Sequence, residues 1–238
     1  MRLMTSRLTG VALAVLCLAP AAALAAGPPL GPPLQNGGFE SNLDAWTGDD
    51  ALIAVTDVFY HRDGSARVLR GDDGVEILPP YGAQEGTFFA VLSGDGQFAD
   101  PDTNVTKLSQ TFSTAGGRLT GFAAFSSGDY APYFDFGYVK ISGMGLSKTL
   151  FSSDVAAVGD YGQTGWKTFG VNLLAGDYTF EAGIANVGDD VQSSFLLLDG
   201  LSIGAVPEPA TWALMLSGFF SLGAMLRRRR LVPARARR

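Results

Sequence analysis

The amino-acid sequence predicts an all-β protein, an antiparallel β-sandwich of the jelly-roll kind, flanked by an N-terminal signal helix and a C-terminal transmembrane helix. Nine short apolar stretches alternate with turns rich in Gly, Asp, Ser and Asn, a spacing typical of β-sandwiches. None of the nine has a sustained helical period, so the chain lacks the crossover helices that a parallel sheet requires. The two densest apolar blocks lie at the termini, where a soluble fold does not need them.

The composition allows one domain with a sizeable core, since 47% of the 238 residues are apolar and 17% are charged. Between Ala26 and Val206 the chain has 22 acidic and 8 basic residues, a net charge of −14. Such a negative field repels phosphate backbones and argues against nucleic-acid binding. It suits Ca²⁺, although a merely soluble acidic surface has the same composition.

Residues 1–26 have the three parts of a secretory signal peptide. Arg2 and Arg7 precede the apolar stretch VALAVLCLA, and the small-x-small pattern at 23–25 predicts cleavage by signal peptidase after Ala25 or Ala26. The only cysteine, Cys17, lies within this segment. The mature chain is therefore expected to contain neither a disulfide nor a reactive thiol.

A leader and then the folded domain follow the signal peptide. Residues 27–34, GPPLGPPL, are too rich in Pro and Gly to form a regular element and predict an extended leader. We assign residues 35–204 to the β-sandwich. The stretch DYTFEAGIANV is its clearest strand, because alternate apolar residues share one face. These residues are Tyr178, Phe180, Ala182 and Ile184.

The last apolar stretch of the domain, SFLLLDGLSI, departs from simple alternation. Leu198, Leu201 and Ile203 cannot all face inward with a two-residue period. The sequence therefore predicts a bulge or kink at residues 199–200.

Both ends of the domain resemble galactose-binding-like jelly rolls, a group that includes many carbohydrate-binding modules. LLLDGLSI is similar to their closing strand, and LQNGGFESNLDAW is similar to their opening segment. The residues that carry the opening resemblance are Asn36, Gly38, Phe39, Glu40 and Trp46. The resemblance implies that the first and last strands meet.

The resemblance also implies a structural Ca²⁺ ion at that meeting point. Glu40 and Asp199 would be its ligands, with carbonyl oxygens completing the shell. The chain departs from the family pattern at Gly200, where related closing strands often have a second acidic residue. The alternative is that Glu40 is a solvated turn residue and Asp199 a turn carboxylate that accepts backbone hydrogen bonds.

Aromatic residues cluster in GDYAPYFDFGYV. Phe134, Phe136 and Tyr138 share one face of a strand, and we expect them to lie in the core. Tyr130 and Tyr133 lie beside the loop and are the candidate ligand-binding residues, because exposed aromatic faces bind sugar rings.

The sequence offers few groups for catalysis. His61 is the sole histidine and lies in the turn-like stretch YHRDGS without a nucleophile elbow, so we expect it at the surface. A zinc site would need more His or Cys ligands than the mature chain has. We therefore predict a non-catalytic protein. A glycoside hydrolase that uses a pair of its many carboxylates is the enzymatic alternative.

The C-terminal region combines a membrane span with a basic end. Residues 210–226 carry no charge, and a helix of 17 residues reaches about 25 Å, enough to cross a bilayer. The positive-inside tendency then places the basic tail, residues 231–238, in the cytoplasm and the domain outside. Pro207 and Pro209 prevent the helix from extending backwards.

Residues 205–230 resemble the PEP-CTERM sorting signal in its variant with Trp and Ala after the motif. VPEPATWA, an apolar segment and an arginine cluster occur in the order that this signal requires. The resemblance implies a Gram-negative exosortase substrate that is processed on its way to the cell surface or extracellular polymer matrix. An ordinary single-span anchor is the alternative. The sorting-signal residues are Pro207, Glu208, Pro209, Trp212, Arg227, Arg228, Arg229 and Arg230.

Taken together, these features predict an exported, non-catalytic protein of the cell envelope or extracellular matrix. Its expected partners are signal peptidase, exosortase and, before processing, the inner membrane. The alternative function is that of a carbohydrate-binding, lectin-like protein that acts on extracellular polysaccharide.

Overall fold

The computed structural model describes residues 31–48, 52–62, 79–94, 105–189, 191–204, 215–223 and 227. These residues form ten β-strands and one short helix before residue 205, and every strand pairing is antiparallel. The elements are β1 Thr47–Gly48, β2 Ile53–Thr56, β3 Val58–Phe59, β4 Tyr81–Gly82, β5 Phe89–Ser93, β6 Val105–Ser126, β7 Phe136–Gly143, β8 Leu146–Asp154, α1 Val155–Val158, β9 Lys167–Ala185 and β10 Phe195–Gly204.

Two long strands, β6 and β9, run through both layers of the fold. They pair along almost their whole length, but the ladder skips Gly116, which has a φ of +101°. Gly117 and Gly176 also have positive φ, a conformation that glycine adopts without steric cost. Four of the nine apolar stretches fall in these two strands, namely TKLSQTF, RLTGFAAFSS, WKTFGVNL and DYTFEAGIANV. The glycines bend the two strands instead of ending them, so the four stretches form two strands.

The bend places the two halves of β6 and β9 in different layers. One layer has the order β2, β5, β10, second half of β6 and first half of β9. The other contains β1, the first half of β6, the second half of β9, β7 and β8. The predicted antiparallel β-sandwich is confirmed.

The core lies between the inner faces of these layers. Phe169 and Phe180, from the two halves of β9, stack with ring centroids 6.2 Å apart. The four alternating residues predicted to share one face of β9 are all buried. A Cβ at Gly137 of β7 would lie 3.2 Å from Phe125 and 3.3 Å from Leu196 of the opposite layer. The layers are therefore in close contact at this point.

The bulge expected in the closing strand is confirmed. The register of β10 against β6 shifts between Asp199 and Ser202, and Gly200 has a φ of +60°. As a result Leu198 and Leu201 are both buried, and Ile203 packs against the same core.

The opening segment contacts the closing strand, but it does so as a turn-rich segment: the first strand, β1, pairs with β6 and not with β10 as the resemblance implied. The Leu201 N–H donates to the Gly37 carbonyl at 3.0 Å. Phe39 and Trp46 stack at 5.3 Å, and the Trp46 indole donates to the Asn36 carbonyl at 2.9 Å. The Pro32 carbonyl accepts a hydrogen bond from Ser113, so residues just before 35 already contact the sandwich.

Both predicted targeting segments lie largely outside the described residues. The signal peptide lies entirely outside them, and so do all the sorting-signal residues except Arg227. Residues 215–223 are helical. Within the described parts of the chain, no helix has both the length and the apolar character needed to cross a membrane.

Candidate functional site

A second apolar cluster covers the outer face of the layer that contains β5 and β10. Short strands β3 and β4 lie over this face and contribute Phe59 and Tyr81. The Trp166 ring meets Tyr81 edge-on at 5.8 Å and Phe89 edge-on at 5.6 Å. We call this set the outer aromatic cluster; its aromatic members are Phe59, Tyr81, Phe89, Trp166 and Phe195.

A groove of about 290 Å³ borders the outer aromatic cluster. The indole N–H of Trp166 donates to the Gly82 carbonyl at 3.0 Å, which fixes the ring at the groove wall. None of the lining residues carries a formal charge. They are Pro79, Pro80, Tyr81, Gly82, Ala83, Gln84, Gln163, Gly165 and Trp166.

One polar atom of the groove lacks a partner, and a second is only weakly engaged. Gln163 Oε1 and the Tyr81 hydroxyl are buried atoms without a hydrogen bond of normal geometry. Burial raises the pKa of Tyr81 to about 12, and the nearby backbone N–H of Gly165 opposes this shift. The phenol therefore stays neutral and can donate. A ligand hydroxyl, which both donates and accepts, would satisfy both groups once the groove wall shifts to expose them, because both atoms are buried in the unliganded chain.

The two tyrosines singled out from the sequence lie together on the loop before β7. Tyr130 is 39% exposed and meets Tyr133 edge-on at 5.4 Å. Tyr161 joins them, with its ring 5.7 Å from that of Tyr130. Tyr133 is half-buried against Gly188. Ligand binding by Tyr130 and Tyr133 stays a prediction.

The segment 161–166 connects the tyrosines to the groove. Tyr161 belongs to the tyrosine group, while Gln163 and Trp166, two and five residues further along the chain, line the groove. Sequence reasoning missed Gln163 and Trp166, because Trp166 begins WKTFGVNL, one of the nine apolar stretches, and nothing in that stretch sets its first residue apart. Trp166 in fact precedes β9 and lies on the outer side of the layer. The turn residues just before it were the available signal.

The core prediction for the aromatic residues of 134–138 is wrong. Phe134 is 45% exposed, and Phe136 is half-buried. Tyr138 is buried on the outer face, where its hydroxyl donates to Glu181 at 2.8 Å and the Lys140 ammonium lies 3.9 Å from its ring centroid. The inward positions of β7 are occupied by Gly137, Val139 and Ile141.

The prediction of a surface histidine is also wrong, since His61 is only 2% exposed. Its Nδ1 hydrogen-bonds the Ser126 hydroxyl at 2.6 Å, and its Nε2 hydrogen-bonds the Tyr161 carbonyl. The ring thereby joins the end of β6 to the segment that leads to the groove. Turn-like neighbours in the sequence gave no sign of these two distant partners.

Glu40 and Asp199 are brought to the same short loop, residues 84–88. Glu40 Oε1 accepts the N–H groups of Thr87 at 2.6 Å and Phe88 at 2.9 Å, which lower the pKa of this exposed carboxylate. Asp199 is fully buried. Its Oδ2 accepts from Gln84 and Glu85, and its Oδ1 accepts from Gly200 at 2.6 Å.

These contacts match the turn-carboxylate alternative for Asp199; Glu40 is exposed, as its alternative requires, and it also accepts two backbone N–H groups. Ca²⁺ takes about six to eight oxygen ligands, and two carboxylates already engaged with backbone N–H groups do not by themselves make such a shell. In the described parts of the chain, no three acidic, histidine or cysteine side chains are grouped so as to hold a metal ion. Calcium at Glu40 and Asp199 stays a prediction.

The fold defines the chain as an antiparallel β-sandwich. Solved structures that resemble it include TmCBM61 in complex with β-1,4-galactotriose, at 17% identity and a TM-score of 0.41 over 72% of this chain and 97% of that one. A family 16 carbohydrate-binding module matches at 15% identity and a TM-score of 0.37, over 71% of this chain and 97% of that one. The K3 cleaved adhesin domain of Lys-gingipain from Porphyromonas gingivalis matches at 15% identity and a TM-score of 0.34, with the same coverage. No family model and no curated protein matches the chain.

Proposed function

We propose that the protein is an exported, non-catalytic, carbohydrate-binding domain with a galactose-binding-like jelly roll. The observation that carries this proposal is the uncharged groove bordered by Trp166, in which Gln163 Oε1 is buried without a partner. Sugar rings combine apolar C–H faces, which pack on aromatic rings, with hydroxyls that hydrogen-bond amides. The groove offers both kinds of contact.

The uncharged groove and the negative charge of the domain both disfavour anionic ligands. An uncharged lining gives no partner to a carboxylate or sulfate, and the domain carries an excess of negative charge. Anionic polymers are repelled by such a field. The expected ligand is therefore a neutral extracellular polysaccharide.

Replacing Gln163 with methionine tests the groove. Loss of the amide is expected to weaken binding of a neutral oligosaccharide about tenfold, because a ligand hydrogen bond is lost. Thermal stability should be unchanged or higher, since a buried unpaired acceptor is removed. The measurement is a glycan array with the full chain, followed by calorimetric titration of the best oligosaccharide. Trp166→Ala should also weaken binding, but it removes packing against Tyr81 and Phe89 as well.

The matched control is Leu174→Ala, which removes a side chain that is 76% exposed and lies at the bend of β9. Its affinity should equal that of the unmodified chain. Tyr130→Ala and Tyr133→Ala, in the same assay, test the tyrosines predicted from the sequence. No saturable binding to any neutral glycan would overturn the proposal and favour a purely structural envelope protein.

We also propose that signal peptidase and exosortase process the chain during export to the cell surface or extracellular matrix. Deleting residues 207–209 is expected to abolish surface delivery, because the recognised motif and its extended backbone are both lost. The protein should then remain in the inner membrane, and its mass should show that the C-terminal tail is still attached. Fractionation and intact mass measure this outcome.

Deletion of residues 27–29 in the leader is the matched control, since it also removes three residues, two of them prolines, and leaves the tail unchanged. Its delivery should be normal. Unaltered surface delivery after loss of residues 207–209 would support an ordinary anchor instead.

A further inference from the structure

Two loops at one end of the sandwich are held together by hydrogen bonds. The first precedes β7, and the second joins β9 to β10. The Ser194 hydroxyl donates to Asp135 Oδ2 at 2.6 Å and accepts from the Gly128 N–H at 3.0 Å. The Val187 N–H donates to Asp135 Oδ1 at 2.8 Å. This chain of contacts fixes the neighbours of Asp129 and Asn186 relative to one another.

Three side-chain oxygens in these paired loops are buried without a hydrogen-bond partner. They are Asp129 Oδ2, Asn186 Oδ1 and Gln192 Oε1. Asp129 is 0% exposed and Asn186 is 1% exposed. The remaining polar atoms of these two side chains are engaged: Asp129 Oδ1 accepts from Tyr130, and Asn186 Nδ2 donates to the Gln192 carbonyl.

All three unpartnered atoms are acceptors, so the partner they lack is a cation or a hydrogen-bond donor. Buried oxygens of this kind are normally satisfied. The negative charge of Asp189 acts on Asp129, and that of Asp129 acts on Asp135. The charges that act on Asp129 and Asp135 are thus acidic, and a bound cation would relieve their repulsion.

We propose that Asp129, Asn186 and Gln192 bind a Ca²⁺ ion between the paired loops. Carboxylate and amide oxygens are ligands that Ca²⁺ prefers, and it tolerates irregular geometry better than Mg²⁺. One carboxylate among two amides gives a weak site, with a dissociation constant on the order of 0.1–1 mM, which is typical of extracellular modules. This site is separate from the one predicted at Glu40 and Asp199, which both contact the loop 84–88.

The test compares thermal unfolding of the full chain in EDTA and in 10 mM CaCl₂. Binding should raise Tm by about 3–6 °C. Asp129→Asn should lose this rise, whereas Glu40→Gln should keep it. Terbium offers a second readout, since Tyr130 lies next to Asp129 and should sensitise Tb³⁺ luminescence that Ca²⁺ quenches by competition.

Each outcome decides between the alternatives. If Asp129→Asn does not fold, Gln192→Met, which changes a half-buried side chain, should lower the Ca²⁺-dependent rise in Tm and the terbium signal. No rise in Tm and no terbium signal with the unmodified chain would overturn the proposal and assign the three oxygens to water. Loss of the rise in Glu40→Gln, with Asp129→Asn unaffected, would also overturn it and place the ion at the loop 84–88.

Discussion

Replacing Asp199 with alanine is expected to lower the free energy of unfolding by about 3–5 kcal/mol. The fully buried carboxylate accepts the backbone N–H groups of Gln84, Glu85 and Gly200, and no other change of a single side chain removes all three contacts. Each buried donor left without a partner costs about 1–3 kcal/mol. The bulge of β10 and the loop 84–88 would loosen together.

Chemical denaturation of the full chain measures this loss. The free energy of unfolding of Asp199→Asn should lie between those of the unmodified chain and Asp199→Ala. The amide keeps one acceptor oxygen, but its N–H group faces backbone donors. Asp57→Ala, at an exposed carboxylate, is the control and should change stability by less than about 0.5 kcal/mol. A loss for Asp199→Ala no larger than that of this control would show that the three contacts contribute no net stability.

Stability is expected to fall as the pH rises from 4 to 7, with Asp135 as the largest single contributor. Burial raises the pKa of Asp135 to about 6 in the folded chain, against 3.8 when unfolded. Between these values the folded state binds more protons than the unfolded state, so the free energy of unfolding decreases with pH and levels off above the folded pKa. For Asp135 alone, this pKa difference corresponds to a loss of about 3 kcal/mol in the free energy of unfolding across that pH range.

The experiment measures unfolding by urea at pH 4, 5, 6 and 7 in EDTA. Asp135→Asn should flatten much of the slope, because the amide cannot ionise and the Ser194 hydroxyl can accept its N–H. Part of the slope should remain, since burial raises the pKa of Asp129 and Asp199 in the same direction. A slope that is unchanged in Asp135→Asn would contradict the assignment.

The β-sandwich, the buried face of β9 and the bulge of β10 were predicted from local patterns. These patterns follow from the geometry of a single strand and do not depend on how strands pack together. The alternation of Tyr178, Phe180, Ala182 and Ile184 identified the buried face of β9, because successive side chains of a strand point to opposite faces. The misfit of three apolar residues in SFLLLDGLSI identified the bulge of β10. Local pattern did not show that the glycines bend β6 and β9 rather than end them.

Burial of single residues was harder to predict where it depends on distant partners. His61 is covered because Ser126 and Tyr161 converge on it, at separations of 65 and 100 residues. Tyr138 is buried outside the core because it packs on Gly183 of the neighbouring strand, where any larger residue would displace its ring.

Local patterns in the chain were enough to predict the layered β architecture, the kink in the closing strand and export, and the family resemblance implied that the two ends of the domain meet. These follow from periodicity, composition and motif order, which are properties of short segments. Packing of the folded chain, by contrast, brings Trp166 and Gln163 to one groove, and Asp129, Asn186 and Gln192 to one pair of loops. Such groupings depend on which loops pack together, and residues far apart in the chain leave no local pattern that records their contact.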